Sequence, residues 1–368
     1  MGGCFFAGCV SRETIGYTGI MGTPIKTYSI EQVGDLVERA GLPTFRTGQL
    51  LGWLYEKGAA SYDEMTNLPK AMREQFAIEY PIHHAVISNK QESIDGSRKY
   101  LLRFHDDVVV ETVGLPSEDG RLTVCCSSQA GCAMACSFCA TGRQGLTRNL
   151  CVGEIVDQVL AVQKDFGKRV TNVVVMGQGE PFANYDAVLA ALRIINHQKL
   201  LNIGARHITV STCGIIEGIE RFSQEPEQFT LAVSLHAARQ NIRDEIMPAM
   251  KNQRLGALRK ALDSYATVTG RRFSFEYALM RGVNDGEEDL EALVDYCRRL
   301  LCHVNLIPLN EIDDSPIQPV DRSALEDWKA RLEDSGIAAS VRKSRGSDIA
   351  GACGQLANIS RLPAVLYL

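Results

Sequence analysis

The sequence predicts an α/β protein: a partial, open (βα)6 barrel preceded by a small N-terminal helical domain. After residue 120, short apolar segments alternate with amphipathic helical segments, a pattern typical of a parallel sheet. Six such units are too few to close an eight-stranded barrel. The chain has 368 residues, 45% hydrophobic and 23% charged, which is ordinary for a globular enzyme.

The regions before the barrel have different patterns. Ser29 and Gln32 fit a helix capping box, and apolar residues follow at helical spacing. Segments that alternate or run apolar then indicate strands from residue 99. We therefore predict five divisions: an unstructured tail (1–26), a helical accessory domain (27–90), a β-rich connecting extension (91–117), the barrel (118–350) and a C-terminal segment (351–368).

The barrel strands can be placed individually. The first is RLTVCCSS, and the others are TNVVVMG (171–177), RHITVST (206–212), TLAVSLH (230–236), RFSFEYALM (272–280) and HVNLIPL (303–309). Active sites of such barrels lie at the C-terminal ends of the strands. Polar residues stand at or just beyond these ends, and we expect them to converge on one mouth: Glu180, Ser211, Ser234, His236 and Asn310.

Charge and cysteine content indicate which binding partners and which cellular compartment the composition favours. The net charge of −5 does not favour nucleic-acid binding, although basic residues are grouped, for example at Arg342, Lys343 and Arg345. Any one such group is more often a solvated surface feature. Twelve cysteines in a chain of this length favour a reducing cytoplasm over a secreted disulfide scaffold. No apolar run approaches the roughly 20 residues that span a bilayer.

Three cysteines form a CxxxCxxC motif within GCAMACSFCATG: Cys132, Cys136 and Cys139. Three thiolates can bind three irons of a 4Fe-4S cluster and leave the fourth iron open, whereas structural zinc or cluster sites normally use four ligands. The motif resembles that of the radical S-adenosylmethionine (SAM) enzymes, in which SAM occupies the open iron.

A glycine-containing motif follows the second barrel strand. Gly177, Gly179 and Glu180 belong to GQGEP, which lacks the third glycine of a dinucleotide-binding fingerprint and has Pro181 where a helix should open. We favour an alternative in which the glycines let backbone carbonyls approach the SAM ammonium and Glu180 favours positive charge nearby. A plain turn between strand and helix is the other interpretation.

A longer resemblance extends from Glu111 to Ala357. It runs through VETVGLP, CCSSQAGCAMACSFCATGRQGLTRNL, VVMGQGEPFANYD, VSTCGI, VSLHA, VNLIPLN and VRKSRGSDIAGACGQLA. These motifs resemble the 23S ribosomal RNA adenine C2-methyltransferase family of radical SAM enzymes, some members of which also modify transfer RNA. The helical N-terminal region resembles the RNA-binding appendage of that family, and the tail lies outside the resemblance.

The resemblance implies roles for particular residues. Cys132, Cys136 and Cys139 would bind the cluster, and Cys353 would become transiently S-methylated. Cys125 would resolve a covalent RNA–protein adduct, and Glu111 would accept a proton. Cys126 stands where the family usually has an apolar residue, so the vicinal pair leaves some ambiguity about the resolving thiol. The implied SAM contacts are Gly179, Glu180, Ser211, Ser234, Leu235, His236 and Asn310.

The resemblance also implies cofactors and partners. We expect one 4Fe-4S cluster, two SAM molecules per turnover, 23S rRNA and possible tRNA substrates, a flavodoxin-type electron donor, and a cytoplasmic monomer without membrane association. Three alternatives remain: a methyltransferase acting on carbon 8 of the same adenosine, a radical SAM enzyme with a non-RNA substrate, and a non-enzymatic iron–sulfur RNA-binding protein.

Overall fold

The computed structural model describes residues 22–312 and 315–358. Most of the predicted tail and the last ten residues therefore lie outside the described residues. Within the part of the chain that the structure describes, no helix combines the length and hydrophobicity needed to cross a membrane.

The N-terminal region is helical, as predicted. Ser29 starts the first helix with the expected capping box: its hydroxyl accepts from the Gln32 amide at 3.2 Å, and its amide donates to Gln32 Oε1 at 2.8 Å. Apolar residues on the inner faces, among them Val37, Leu50 and Phe76, are fully buried. The helices are α1 (Ile30–Arg39), α2 (Phe45–Leu51) and α3 (Lys70–Glu79).

The predicted unstructured tail (1–26) extends too far along the chain, because its last two residues belong to the fold. Ile25–Thr27 forms a 3-10 turn, and Ile25 and Lys26 are buried. The Lys26 ammonium forms a buried ion pair with Asp157, whose second carboxylate oxygen accepts from the Ala85 amide at 3.0 Å. A three-residue turn has no periodicity that a sequence pattern could reveal, which explains the wrong boundary. Asp157 thus joins the start of the described chain to the barrel.

We expect Asp157→Ala to lower the free energy of unfolding by about 3 kcal/mol, because the Lys26 charge would remain buried without its partner. The exposed Lys70–Glu74 pair on α3 provides the control. Glu74→Ala should change stability by less than about 0.5 kcal/mol. Urea unfolding followed by circular dichroism would measure both variants. Equal small effects would show that the buried pair does not hold the two regions together.

Three antiparallel strands connect the helical region to the barrel. They are β1 (Val86–Glu92), β2 (Arg98–Arg103) and β3 (Val109–Pro116). The last helix of the N-terminal region, α3, ends at Glu79, and β1 begins at Val86. Both positions lie within the range 27–90 that was predicted as the helical domain. The β-rich extension therefore starts earlier than the predicted residue 91.

The barrel sheet is parallel and open, as predicted. Its strands are β4 (Leu122–Cys125), β7 (Asn172–Val175), β8 (Ile208–Thr212), β9 (Thr230–Ser234), β10 (Phe273–Leu279), β11 (Cys302–Pro308) and β12 (Ala339–Val341). Neighbours in this order pair in parallel, and β3 pairs antiparallel with β4. The sheet thus has β1 and β12 at its edges. The predicted six strands are present, and β12 adds a short seventh.

The remaining elements cover the sheet or carry loops. A two-stranded hairpin flanks the cysteine motif: β5 (Gln129–Gly131) and β6 (Leu146–Asn149). The helices are α4 (Ala140–Arg143), α5 (Val152–Phe166), α6 (Tyr185–Asn196), α7 (Ile216–Ser223), α8 (Gln240–Ile246), α9 (Leu255–Thr269), α10 (Glu287–Cys297) and α11 (Arg322–Asp334). The apolar faces of α5, α6, α7, α9, α10 and α11 pack with the parallel sheet in the main hydrophobic core and leave the strand ends at one mouth.

Candidate active site

A cavity of about 250 Å³ lies at the C-terminal ends of the parallel strands. The predicted convergence of polar groups is therefore present in the fold, and the cysteine motif faces the same space. The cavity is lined by these predicted site residues: Cys125, Cys132, Cys136, Cys139, Gly179, Glu180, Ser211, Ser234, His236, Asn310 and Cys353. Glu111 and the Leu235 side chain do not line it.

The cysteine motif is shaped by the β5–β6 hairpin. Gly131 has φ +78°, and a Cβ there would lie 2.0 Å from the Gly145 carbonyl oxygen, so a glycine is required. The Cys132 amide donates to that carbonyl at 2.8 Å, and the Cys139 amide donates to the Cys136 carbonyl at 3.2 Å. Backbone contacts thus fold the motif so that all three thiols line the cavity.

The three thiols are the donor set of a multi-iron cluster with one open iron. Structural zinc sites normally close with a fourth ligand, whereas the motif supplies three. Burial raises the pKa of Cys132 to about 11 and that of Cys136 further. Metal binding must therefore displace the protons from these thiols. A 4Fe-4S cluster would be held by the three cysteines with one iron left open.

The GQGEP motif follows β7 and packs closely on the neighbouring chain. Gly179 has φ +99°, and a Cβ there would approach Gln129 atoms to 2.5 Å. Glu180 is buried, and its carboxylate accepts from the Phe182 amide at 2.9 Å and the Cys213 amide at 2.7 Å. Burial raises the pKa of Glu180 despite these bonds. Glu180 therefore contributes a fixed, backbone-held carboxyl group to the cavity wall.

His236 lies just beyond β9 in a strained conformation, with φ +53°. Its Nδ1 accepts from the Ala278 amide at 3.0 Å, and its carbonyl accepts from Asn284 at 2.6 Å. Burial and the nearby Arg243 lower the pKa of His236 to about 3, so the ring is neutral at physiological pH. An unusual backbone conformation that is held by hydrogen bonds beside a cavity is typical of ligand-binding residues. Leu235, by contrast, has its side chain in the hydrophobic core.

The two non-cluster thiols face the same cavity from different directions. Cys125 ends β4, and Cys353 lies in the C-terminal segment with its side chain exposed to the cavity. Burial, with a smaller contribution from Cys353, raises the pKa of Cys125 to about 12, while Arg342 opposes the shift. Enclosure by the walls raises the pKa of Cys353, again opposed by Arg342. Cys126 is fully buried in the core and does not line the cavity.

Glu111 is buried on β3 and already has partners. Its carboxylate pairs with Lys99 at 3.0 Å and accepts from the amides of Ala357 at 2.6 Å and Asn358 at 3.1 Å. Gln178 Oε1 accepts from the Glu111 amide at 3.1 Å. In this structure Glu111 therefore holds the C-terminal segment in place.

The segment that carries Cys353 is attached at both ends. Upstream of Cys353, Asp348 accepts from the Ser93 hydroxyl at 2.6 Å and the Ile94 amide at 3.1 Å, in the turn between β1 and β2. Downstream, the Gly354 carbonyl accepts from the Ala140 amide at 2.7 Å, next to the cysteine motif. We call residues 346–354 the Cys353 bridge, because they connect the β1–β2 turn to that motif. Asn310 contacts the same segment through the Cys353 carbonyl at 3.1 Å.

Four charged residues that line the cavity were not predicted as site residues: Glu276, Arg342, Lys343 and Arg345. Glu276 lies on β10, and Arg342 follows β12; the two form an ion pair at 3.8 Å. The only sequence signal for Glu276 was a carboxylate within an otherwise apolar strand. Arg342 belonged to a basic group that resembled a solvated surface feature.

A parallel partial barrel with a three-cysteine motif beside its mouth defines the radical SAM class, whose members use a 4Fe-4S cluster and SAM. Residues 126–297 match the Radical SAM superfamily, and residues 25–82 match the ribosomal RNA large subunit methyltransferase N-terminal domain. The chain is 46% identical over 328 residues to the probable dual-specificity RNA methyltransferase RlmN of Picosynechococcus sp., covering 89% of this chain and 94% of that protein. It belongs to the RlmN family of radical SAM enzymes.

Other relatives agree with this assignment. The probable dual-specificity RNA methyltransferase RlmN of Lysinibacillus sphaericus is 43% identical, covering 90% of this chain and 88% of that protein. A crystal structure of a radical SAM methyltransferase from Sphaerobacter thermophilus superimposes with a TM-score of 0.85. It is 41% identical and covers 92% of this chain and 100% of that one. The similarity thus includes the N-terminal helical region as well as the barrel.

Proposed function

We propose that the protein methylates carbon 2 of an adenosine in 23S rRNA and of an adenosine in the anticodon loop of tRNA. The relatives named as dual-specificity RNA methyltransferases support RNA as the substrate. The observation that carries the proposal is that Cys125 and Cys353 line the same cavity as the three cluster cysteines. A cluster-bearing barrel alone would not need this second pair of thiols.

The chemistry of the target explains why a protein thiol is needed. Carbon 2 of adenine is a poor nucleophile, so direct displacement on SAM would be slow. Cys353 can instead attack the SAM methyl group: a sulfur–carbon bond forms, the sulfonium–methyl bond breaks, S-adenosylhomocysteine leaves, and the thiol proton is lost. Arg342 favours the thiolate that this step requires. When bound, the cluster supplies the electron that cleaves a second SAM, which lets a hydrogen atom be removed from the S-methyl group.

The remaining steps use residues of this chain. The S-methyl carbon bonds to adenine carbon 2, the adduct gives up one electron, for which the oxidised cluster would be the acceptor, and Glu111 takes the proton from carbon 2. Glu111 can do so after Ala357 and Asn358 release its carboxylate. The Cys125 thiolate then attacks Cys353 sulfur. A disulfide forms, the electron pair of the broken carbon–sulfur bond goes to the methylene carbon, and protonation gives the methyl group.

The proposal also specifies the reductants, the oligomeric state and the location of the enzyme. We infer a flavodoxin-type electron donor for the cluster, a dithiol reductant for the disulfide, a monomeric enzyme and a cytoplasmic location. The SAM contacts of the proposal are Gly179, Glu180, Ser211, Ser234, Leu235 through its backbone, His236 and Asn310.

Nucleoside mass spectrometry tests the proposed function. The protein is expressed in a host that lacks its own enzyme, and 23S rRNA and tRNA are purified separately and digested. We expect 2-methyladenosine in both fractions and none in either fraction from cells with an empty vector. Detection of 8-methyladenosine alone, or SAM cleavage without any methylated nucleoside, would contradict the proposal.

A further inference from the structure

Glu276 places a carboxylate inside the barrel, where it is only 4% exposed. One of its oxygens is well satisfied: Oε1 accepts from Asn305 Nδ2 at 2.8 Å and from the Ser274 hydroxyl at 3.0 Å. Two donors on one oxygen fix the plane of the carboxylate. The position of the second oxygen, Oε2, is thereby determined as well.

The neighbours of Asn305 fix the direction of its amide. The Ser340 hydroxyl donates to Asn305 Oδ1 at 2.7 Å, and His303 Nε2 lies 2.8 Å from that hydroxyl. With its oxygen engaged on one side, Asn305 presents its NH₂ group to Glu276. This network crosses β10, β11 and β12 and orients Glu276 before any ligand arrives.

The second oxygen of Glu276 has no hydrogen-bond donor among the described residues. The guanidinium of Arg342 is 3.8 Å away, which is too long for a hydrogen bond. Leaving a buried acceptor unsatisfied is unfavourable, and native proteins rarely do so without a functional reason. Both side chains line the cavity, so a bound ligand can supply the missing donor.

Glu276 lies deep within the barrel. This position indicates that the small cofactor SAM, and not RNA, supplies the missing hydrogen-bond donor. Glu276 pairs in register with Ser234, three residues before the end of β10 at Leu279. A position within the strands is accessible to a small molecule, whereas a nucleotide of a large RNA enters from the mouth. The groups of SAM that can donate to a carboxylate are its ammonium, its adenine amine and its ribose hydroxyls.

The ribose hydroxyls match this position best. The ammonium belongs at the open iron beside the cysteine motif, and Asn310, just beyond β11, suits the adenine edge. An acidic residue of a parallel sheet that binds ribose hydroxyls is also a recurring solution in nucleotide-binding folds. We propose that Glu276 Oε2 accepts a hydrogen bond from a ribose hydroxyl of SAM. This inference rests on the proposed function only in that SAM binds in this cavity.

Binding of S-adenosylhomocysteine to the anaerobically reconstituted enzyme tests the proposal, since this probe keeps the ribose and lacks the reactive sulfonium. We expect Glu276→Gln to weaken binding about tenfold in equilibrium dialysis, as for loss of a hydrogen bond to a charged group. Glu217→Gln, at an exposed position on α7 away from the cavity, is the matched control and should bind like the wild type. Unchanged affinity in the Glu276 variant would overturn the proposal.

The ligand can be changed in the same experiment. The 2′,3′-dideoxy analogue of S-adenosylhomocysteine should bind the wild type about tenfold more weakly than the parent probe. Glu276→Gln should not weaken binding of this analogue further, because the hydrogen bond is already missing. An equal loss with both probes would show that Glu276 acts on another group and would overturn the assignment.

A second variant covers the case in which Glu276→Gln does not fold. Glu276→Asp keeps the charge but withdraws the carboxylate by one methylene, and it should also reduce the preference for the hydroxylated probe. A preference equal to that of the wild type would count against the proposal. No RNA is present in these measurements, so their outcome is independent of whether RNA methylation occurs.

Discussion

Cys353→Ser should yield neither methylated RNA nor RNA attached to the protein. The wild-type thiol is exposed to the cavity beside Arg342, and a serine hydroxyl remains protonated and is a much weaker nucleophile. The first methyl transfer should therefore fail, and the later steps have no carbon to deliver. Incubation with RNA and methyl-labelled SAM, followed by denaturing gels and nucleoside analysis, would show a product loss of at least about a hundredfold.

Cys151→Ser is the matched control for this variant. Cys151 is the N-cap of α5 and does not line the cavity, and serine is a favourable N-cap residue. This control should make product at the wild-type rate. Free methylated RNA at wild-type yield from Cys353→Ser would show that Cys353 is not the methyl acceptor.

Cys125→Ser should accumulate RNA covalently attached to Cys353. In the proposed mechanism, methylation and adduct formation do not require the Cys125 thiol, but its attack on the Cys353 sulfur is the step that frees the product. We expect release of methylated RNA to fall by at least about a hundredfold. A band that resists denaturant and disappears after ribonuclease treatment would identify the adduct, and mass spectrometry would locate it on Cys353.

Cys126→Ser distinguishes the two members of the vicinal pair. Cys126 directly follows β4 and is buried in the core, whereas Cys125 faces the cavity, since successive side chains of an extended chain point to opposite sides. Cys126→Ser should therefore release its product normally. An adduct in the Cys126 variant, with normal release by Cys125→Ser, would assign the resolving step to the other thiol.

Much of the fold was predictable because its strands are long enough to show an apolar pattern. The six predicted barrel strands and the capping box at Ser29 are confirmed. β12 was missed because three residues carry too little pattern, and its pairing with β11 depends on tertiary contacts. The turn at Ile25–Thr27 was missed for the same reason, although the buried pair with Asp157 makes it part of the folded core.

The candidate site was predictable where residues follow strand ends, because topology alone brings such residues to one mouth. The contacts of Glu111 were not predictable, since its partners Ala357 and Asn358 lie almost 250 positions away in the chain. The role of Glu276 in the cavity was also not predictable from the sequence. A carboxylate in a strand has meaning only when its neighbours show which oxygen is satisfied and which is left for a ligand.

The Cys353 bridge has a thermodynamic consequence. Its ends are hydrogen-bonded to the β1–β2 turn through Asp348 and to the start of α4 through Gly354. Anything that orders the cysteine motif therefore also reduces the conformational freedom of the segment that carries Cys353. Coupling free energies are reciprocal, so ordering the bridge must favour the ordered motif by the same amount. The three-cysteine motif and the thiol proposed to accept the methyl group thus belong to one cooperative unit.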